Sequence, residues 1–157
     1  MTARLDLFSA APAAMKQWYG ASVAIAGSLD QTLVHLIEIR SSQLNGCGNC
    51  INLHTTFARE AGETEQRIYL LSAWREAPFY TDRERAALGW TEALTLLADG
   101  PDLDAAYETL KAHFSEEEQV KVTLMINVIN GWNRLALGFK QWSDPAAVKA
   151  ATKSAAA

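Results

Sequence analysis

Residues 115–139 read SEEEQVKVTLMINVINGWNRLALGF, and this stretch decides the fold class. Ser115 followed three residues later by Glu118 is a helix-opening signal, in which each side chain satisfies a free backbone N–H at the first turn. Behind it Val120, Leu124, Val128, Ile129, Trp132, Leu135 and Phe139 recur at spacings of three and four, which predicts one long amphipathic helix. The acidic run Glu116 to Glu118 suits the positive end of that helix.

The same punctuation recurs outward along the chain. Thr81 with Glu84 and Ser28 with Gln31 repeat the opening signal, and Leu33, Leu36, Ile37 and Leu44 form a second apolar stripe. Further helices are expected from near Asn45 to Gly62, from Thr64 to Ala73, from Asp82 to Ala98, from Asp102 to Phe114 and from Pro12 to Ile25. Gly100-Pro101 breaks the chain between two of them. No alternating apolar and polar runs joined by a tight turn are present, so the expected fold is all-α, a compact bundle of about six to eight helices. Residues 1–144 are expected to form one domain, and residues 145–157 a loosely held Ala-rich tail.

Composition narrows the function. The 157 residues are 49% hydrophobic, with 14 basic against 18 acidic side chains and a net charge of -4. Without a basic cluster, nucleic acid and anionic membrane surfaces are poor partners. Met1 to Met15 is interrupted by Arg4, Asp6 and Pro12 and does not read as a secretion signal, so a cytoplasmic protein is expected. In that reducing compartment a cysteine pair is more often catalytic or metal-binding than structural.

The pair sits in Cys47-Gly48-Asn49-Cys50-Ile51-Asn52-Leu53-His54. Spacings of three and four bring both thiols and the imidazole onto one helix face, a nucleophile beside its base. Asn45-Gly46 reads as a turn that places Cys47 in the first helical turn, where the dipole favours a thiolate. The dipole alone favours Cys47 as nucleophile, while His54 as base favours Cys50. A zinc site from both cysteines and two of His35, His54 and His113 is the competing reading, weakened by the absence of a second close ligand pair. On the preceding helix His35 and Glu38 share a face, with Arg40 nearby, and either could orient His54. Trp74, Phe79, Tyr80 and Trp90 surround a Pro-containing turn and read as core or subunit packing. No Gly-rich phosphate loop is present, and the thiol chemistry requires no cofactor.

Ser42-Gln43-Leu44-Asn45-Gly46-Cys47-Gly48-Asn49-Cys50 with His54 resembles the core of the alkylhydroperoxidase AhpD-like proteins of the carboxymuconolactone decarboxylase superfamily. The resemblance continues through Ala73-Trp74-Arg75-Glu76 and Thr81 to Thr95, and spans roughly Leu29 to Gly138. It implies an all-α fold assembled as a homotrimer or homohexamer. It also implies a cysteine pair cycling between dithiol and disulfide in a thiol-dependent alkylhydroperoxidase or disulfide reductase of antioxidant defence. By position Cys50 becomes the attacking thiol, Cys47 the resolving thiol and His54 the relay base. Small organic hydroperoxides or disulfides are the implied substrates, and a lipoyl or thioredoxin-like dithiol the electron donor. The family's relay glutamate, twelve residues before the first cysteine, is matched here by His35; Glu38, one turn on, and Glu92, on another helix, are the other candidates. The shared fold also suggests a cofactor-free lyase or isomerase using His35, His54 and Glu92 as acid and base, and reactive thiols alone would serve a non-enzymatic redox sensor.

Overall fold

The structure, a computed structural model, describes residues 2–155, and the side chains of residues 2–150. It contains α1 (Leu7–Ala10), α2 (Pro12–Ala26), α3 (Gln31–Leu44), α4 (Gly48–Glu60), α5 (Glu65–Leu70), α6 (Asp82–Thr95), α7 (Leu103–His113), α8 (Glu116–Phe139) and α9 (Pro145–Ala155). Short 3₁₀ turns at Leu71–Ala73 and Leu97–Asp99 extend α5 and α6, which accounts for the longer spans expected there. No strand occurs among the described residues. The fold is the all-α bundle the sequence predicts.

Both acidic capping boxes form, Thr81 with Glu84 and Ser115 with Glu118. Ser28 with Gln31 does not. Asp30 caps α3 instead, its carboxylate accepting from Leu33 N at 3.0 Å, while Ser28 Oγ donates to Ile25 O in the preceding turn. The segment beyond Pro145 is also corrected, because it forms α9 and packs against α4, where a loose tail was expected. Met1, Ala156 and Ala157, at the limits of the expected domain and tail, lie outside the described residues.

The helix that organises the bundle is α3, which packs against α4, α6 and α8. Its Leu33, Val34 and Ile37 enter one core with Met125, Ile126 and Ile129 of α8. Its Leu36 and Ile39 enter a second core with Ala58 of α4, Leu71, Trp74 and Tyr80. A helix apolar on two sides is buried on both.

The apolar stripe expected on α8 is buried at Val128 and Ile129 and packs against the core at Trp132, but its first two turns depart from it. Val120 and Leu124 are exposed, and Val122, Met125, Ile126 and Ile129 are buried. Two overlapping stripes run along this helix, and packing against α3 selects one of them. Gly131 of α8 allows Trp18 of α2 to approach: a Cβ there would lie 2.6 Å from ring carbon Cζ2. Among the described residues no helix is long and apolar enough to cross a membrane.

Ile126→Ala removes a fully buried side chain of α8 from the first core and is expected to cost about 2–5 kcal/mol of unfolding free energy. Val120→Ala, on the exposed stripe of the same helix, is expected to cost less than about 1 kcal/mol. Urea denaturation of the two variants checks which stripe of α8 carries the core.

Candidate active site

Between α3 and α4 the chain reverses at Asn45-Gly46, with Gly46 in the left-handed region at φ 67°, a conformation that costs glycine little. This turn delivers Cys47 as the N-cap of α4, one position before the first-turn location the sequence suggests. Cys50 then falls at the third helical position, and its N–H lies 3.4 Å from Cys47 Sγ. The two cysteines are joined in a disulfide with a Cα–Cα separation of 5.3 Å. Both sulfurs therefore lie where unpaired helix N–H groups and the positive dipole end favour thiolate on reduction.

One turn on from Cys50, His54 faces α3. Its Nδ1 lies 2.9 Å from Glu38 Oε2, within ion-pair range though off the line of a linear hydrogen bond. His35 Nδ1 approaches the same oxygen at 3.4 Å. Burial by itself pushes the Glu38 carboxyl up, but the charge of His54 and the contacts from both imidazoles outweigh it and hold the group down at about 2. Glu38 is thus ionised at neutral pH and can only accept. An Nδ1–H tautomer of His54 would face this oxygen and leave Nε2 as the ring's acceptor.

The roles expected of the three relay candidates sort out accordingly. His35, which occupies the family's glutamate position, touches Glu38 and makes no contact with His54 through which it could serve as its direct partner. Glu38 holds the position behind His54, because one turn of α3 separates the two and it is the one aimed at α4. Glu92 is elsewhere: its carboxylate accepts from Arg40 Nε at 2.7 Å, from Trp74 Nε1 at 2.8 Å and from Arg75. With these three donors around it, Glu92 links α3, α6 and the loop after α5, and its hydrogen bonds go to Arg40, Trp74 and Arg75. Among the described residues no group of three or more His, Cys, Asp and Glu side chains has the arrangement of a metal site.

A set of amides, buried at Asn130 and Asn133, connects to the Ser42–Asn45 part of the cysteine motif and emerges only in the fold. Asn45 Nδ2 donates to Asn130 Oδ1 at 3.0 Å and to Asn133 Oδ1 at 2.8 Å, and Asn133 Nδ2 donates to Ser42 Oγ at 3.0 Å. Ser42 Oγ in turn donates to the Glu38 backbone carbonyl at 2.6 Å. This chain ties α8 to both the turn that presents Cys47 and the helical turn that carries Glu38. Its signal in the sequence is Asn130 and Asn133 interrupting an apolar helix at a spacing of three.

Comparison with known proteins gives the site its context. The sequence profile of the carboxymuconolactone decarboxylase family matches residues 9–93. The YdfG protein of Bacillus subtilis is 42% identical over 138 residues, covering 87% of this chain and 94% of its own. An Agrobacterium tumefaciens protein of unknown function, provisionally ascribed to antioxidant defence as AhpD, superposes with a TM-score of 0.84 at 44% identity, covering 91% of this chain and 99% of its own. The debrominase Bmp8 shares the fold with a TM-score of 0.79 at 20% identity, covering 88% of this chain and 75% of its own.

Because the Glu38 carboxyl is lowered on folding from 4.5 to about 2, its contribution to stability is present above about pH 4.5 and is lost as the pH falls toward 2. Glu38→Gln is expected to lower stability near neutral pH by roughly 2–4 kcal/mol and to flatten the acid limb of the stability profile. Denaturant titrations at a series of acidic pH values check both effects, and an unchanged acid limb contradicts the assignment.

Proposed function

This chain belongs to the carboxymuconolactone decarboxylase family, and on that premise we propose that it is a thiol-dependent peroxidase of the AhpD-like kind, in which Cys47 and Cys50 are the redox couple. The observation that carries the reading is the Cys47–Cys50 disulfide at the start of α4, with His54 one turn on and the Glu38 carboxylate behind it. The antioxidant ascription of the Agrobacterium relative supports it.

His54 takes the Cys50 proton at Nε2, and the carboxylate of Glu38 offsets the positive charge that develops on the ring. The Cys50 thiolate attacks the distal oxygen of a small organic hydroperoxide. A sulfur–oxygen bond forms, the oxygen–oxygen bond breaks, and the alcohol leaves with the proton held by His54. The resulting sulfenic acid condenses with the Cys47 thiol, releasing water and forming the disulfide. An external dithiol of the lipoyl or thioredoxin type then returns two electrons and two protons and leaves as its own disulfide. The assignment of Cys50 as attacking thiol rests on its place beside His54; Cys47, the N-cap, resolves.

Cys50→Ser is expected to abolish hydroperoxide consumption, and a wild-type rate in that variant sinks the proposal. His54→Asn is expected to lower kcat/KM by about 10²–10⁴ while leaving the disulfide able to form under a strong oxidant. Coupled peroxide assays with dihydrolipoamide as donor measure both.

A further inference from the structure

The helix α8 ends at Lys140, a non-glycine residue at φ 52° in the left-handed region. From that point the chain turns back across the start of α4. Ser143 N donates to Asn49 Oδ1 at 2.6 Å, and the Trp142 ring lies over Gly48, where a Cβ would be 3.9 Å from ring carbon Cζ3. Gly48 and Asn49 are the two residues between the cysteines. Farther along, Lys149 of α9 pairs with Glu60 at the end of α4, so the segment follows that helix from one end to the other.

Cys47 and Cys50 are 1% and 3% exposed with this segment in place. Thiol–disulfide exchange requires an attacking thiolate to reach a sulfur along the S–S axis, so access limits the rate. A disulfide this enclosed is closed to any bulky reductant.

Gln141 is tied back by its Nε2 to Leu5 O at 2.7 Å, and beyond it the segment is anchored largely at the surface. Trp142 is 59% exposed, the Lys149–Glu60 pair lies on the surface where such pairs contribute little, and Asn49 supplies one hydrogen bond. An exposed aromatic anchor and a surface ion pair are the marks of a region that opens locally without global unfolding. The helix ends and the backbone reverses at Lys140, and Gln141 beside it is fixed to Ala136 O and Leu5 O, so a hinge for the rest of the segment lies at this turn.

We propose that residues 142–150 form a lid over the Cys47–Cys50 disulfide, pivoting at the Lys140 turn, whose opening admits the dithiol reductant and with Trp142 selects reductants by size. The inference rests on the redox couple of the preceding reading and not on peroxide as its oxidant. In the open state a reductant thiolate attacks one sulfur to give a mixed disulfide, the other sulfur leaving as thiolate. The reductant's second thiolate then attacks the reductant's own sulfur in that mixed disulfide and the protein cysteine leaves as thiolate, so two electrons pass, both protein thiols are reduced and the reductant departs as its disulfide.

The test uses the oxidised full-length protein, with loss of the disulfide followed by mass spectrometry under a thioredoxin-type protein dithiol and, separately, dithiothreitol. Trp142→Ala is expected to speed reduction by the protein dithiol about tenfold, and by dithiothreitol distinctly less. Unchanged rates in folded Trp142→Ala overturn the lid, as does an equal acceleration of both reductants, which marks general loosening. No peroxide enters the assay, so this result and the Cys50→Ser peroxide assay fail independently.

Discussion

A carboxylate on a helix buried from two sides has to be neutralised where it stands, and the site is built around that constraint. The side chains of α3 fill two cores at once, so Glu38 has little water to solvate it. His54 from α4 and His35 from its own helix supply the compensation. The pairing that keeps α3 in the middle of the bundle also orients the imidazole one turn from Cys50. On the proposed function, stability and chemistry draw on the same contact, and a change at Glu38 is expected to touch both.

Around that contact the fold fixes three further features. The Gly46 turn makes Cys47 an N-cap and Cys50 the third residue of α4, which sets the disulfide at the dipole end. The amide chain from Asn130 and Asn133 through Asn45 and Ser42 locks the turn and the Glu38 segment to α8. The returning segment after Lys140 hydrogen-bonds to Asn49, between the two cysteines. Each involves a polar group placed among apolar ones, where an unmade hydrogen bond costs more than a made one gains. Such groups specify geometry more than they add stability.

Much of this is legible in the sequence because it is local. The caps at Thr81 and Ser115, the break at Gly100-Pro101 and the Cys-x-x-Cys…His spacing depend on residues three or four apart, which helical geometry alone brings together. What is not legible depends on tertiary packing. Which of two stripes on α8 is buried is decided by α3, so Val120 and Leu124 face outward. Asp30 outcompetes Ser28 as the cap of α3 because its carboxylate reaches Leu33 N directly. His35 stands at the position expected for a glutamate, yet the residue facing α4 is Glu38, and only the crossing of the two helices reveals it. Nothing local to Glu92 indicates that Arg40, Trp74 and Arg75 surround it. The Ala-rich C-terminal stretch carries one large apolar residue, Val148, too little to announce a packed helix, yet α9 packs against α4.

The central claim is that Glu38, and neither His35 nor Glu92, is the charge that serves His54 and through it Cys50. The most direct test is a stopped-flow measurement of Cys47–Cys50 disulfide formation when the reduced protein meets a stoichiometric amount of organic hydroperoxide. Glu38→Gln and Glu92→Gln are compared side by side at neutral pH. The expected rate is lower by about tenfold or more in Glu38→Gln and within about twofold of wild type in Glu92→Gln. A wild-type rate in Glu38→Gln, or an equal loss in Glu92→Gln, contradicts the claim.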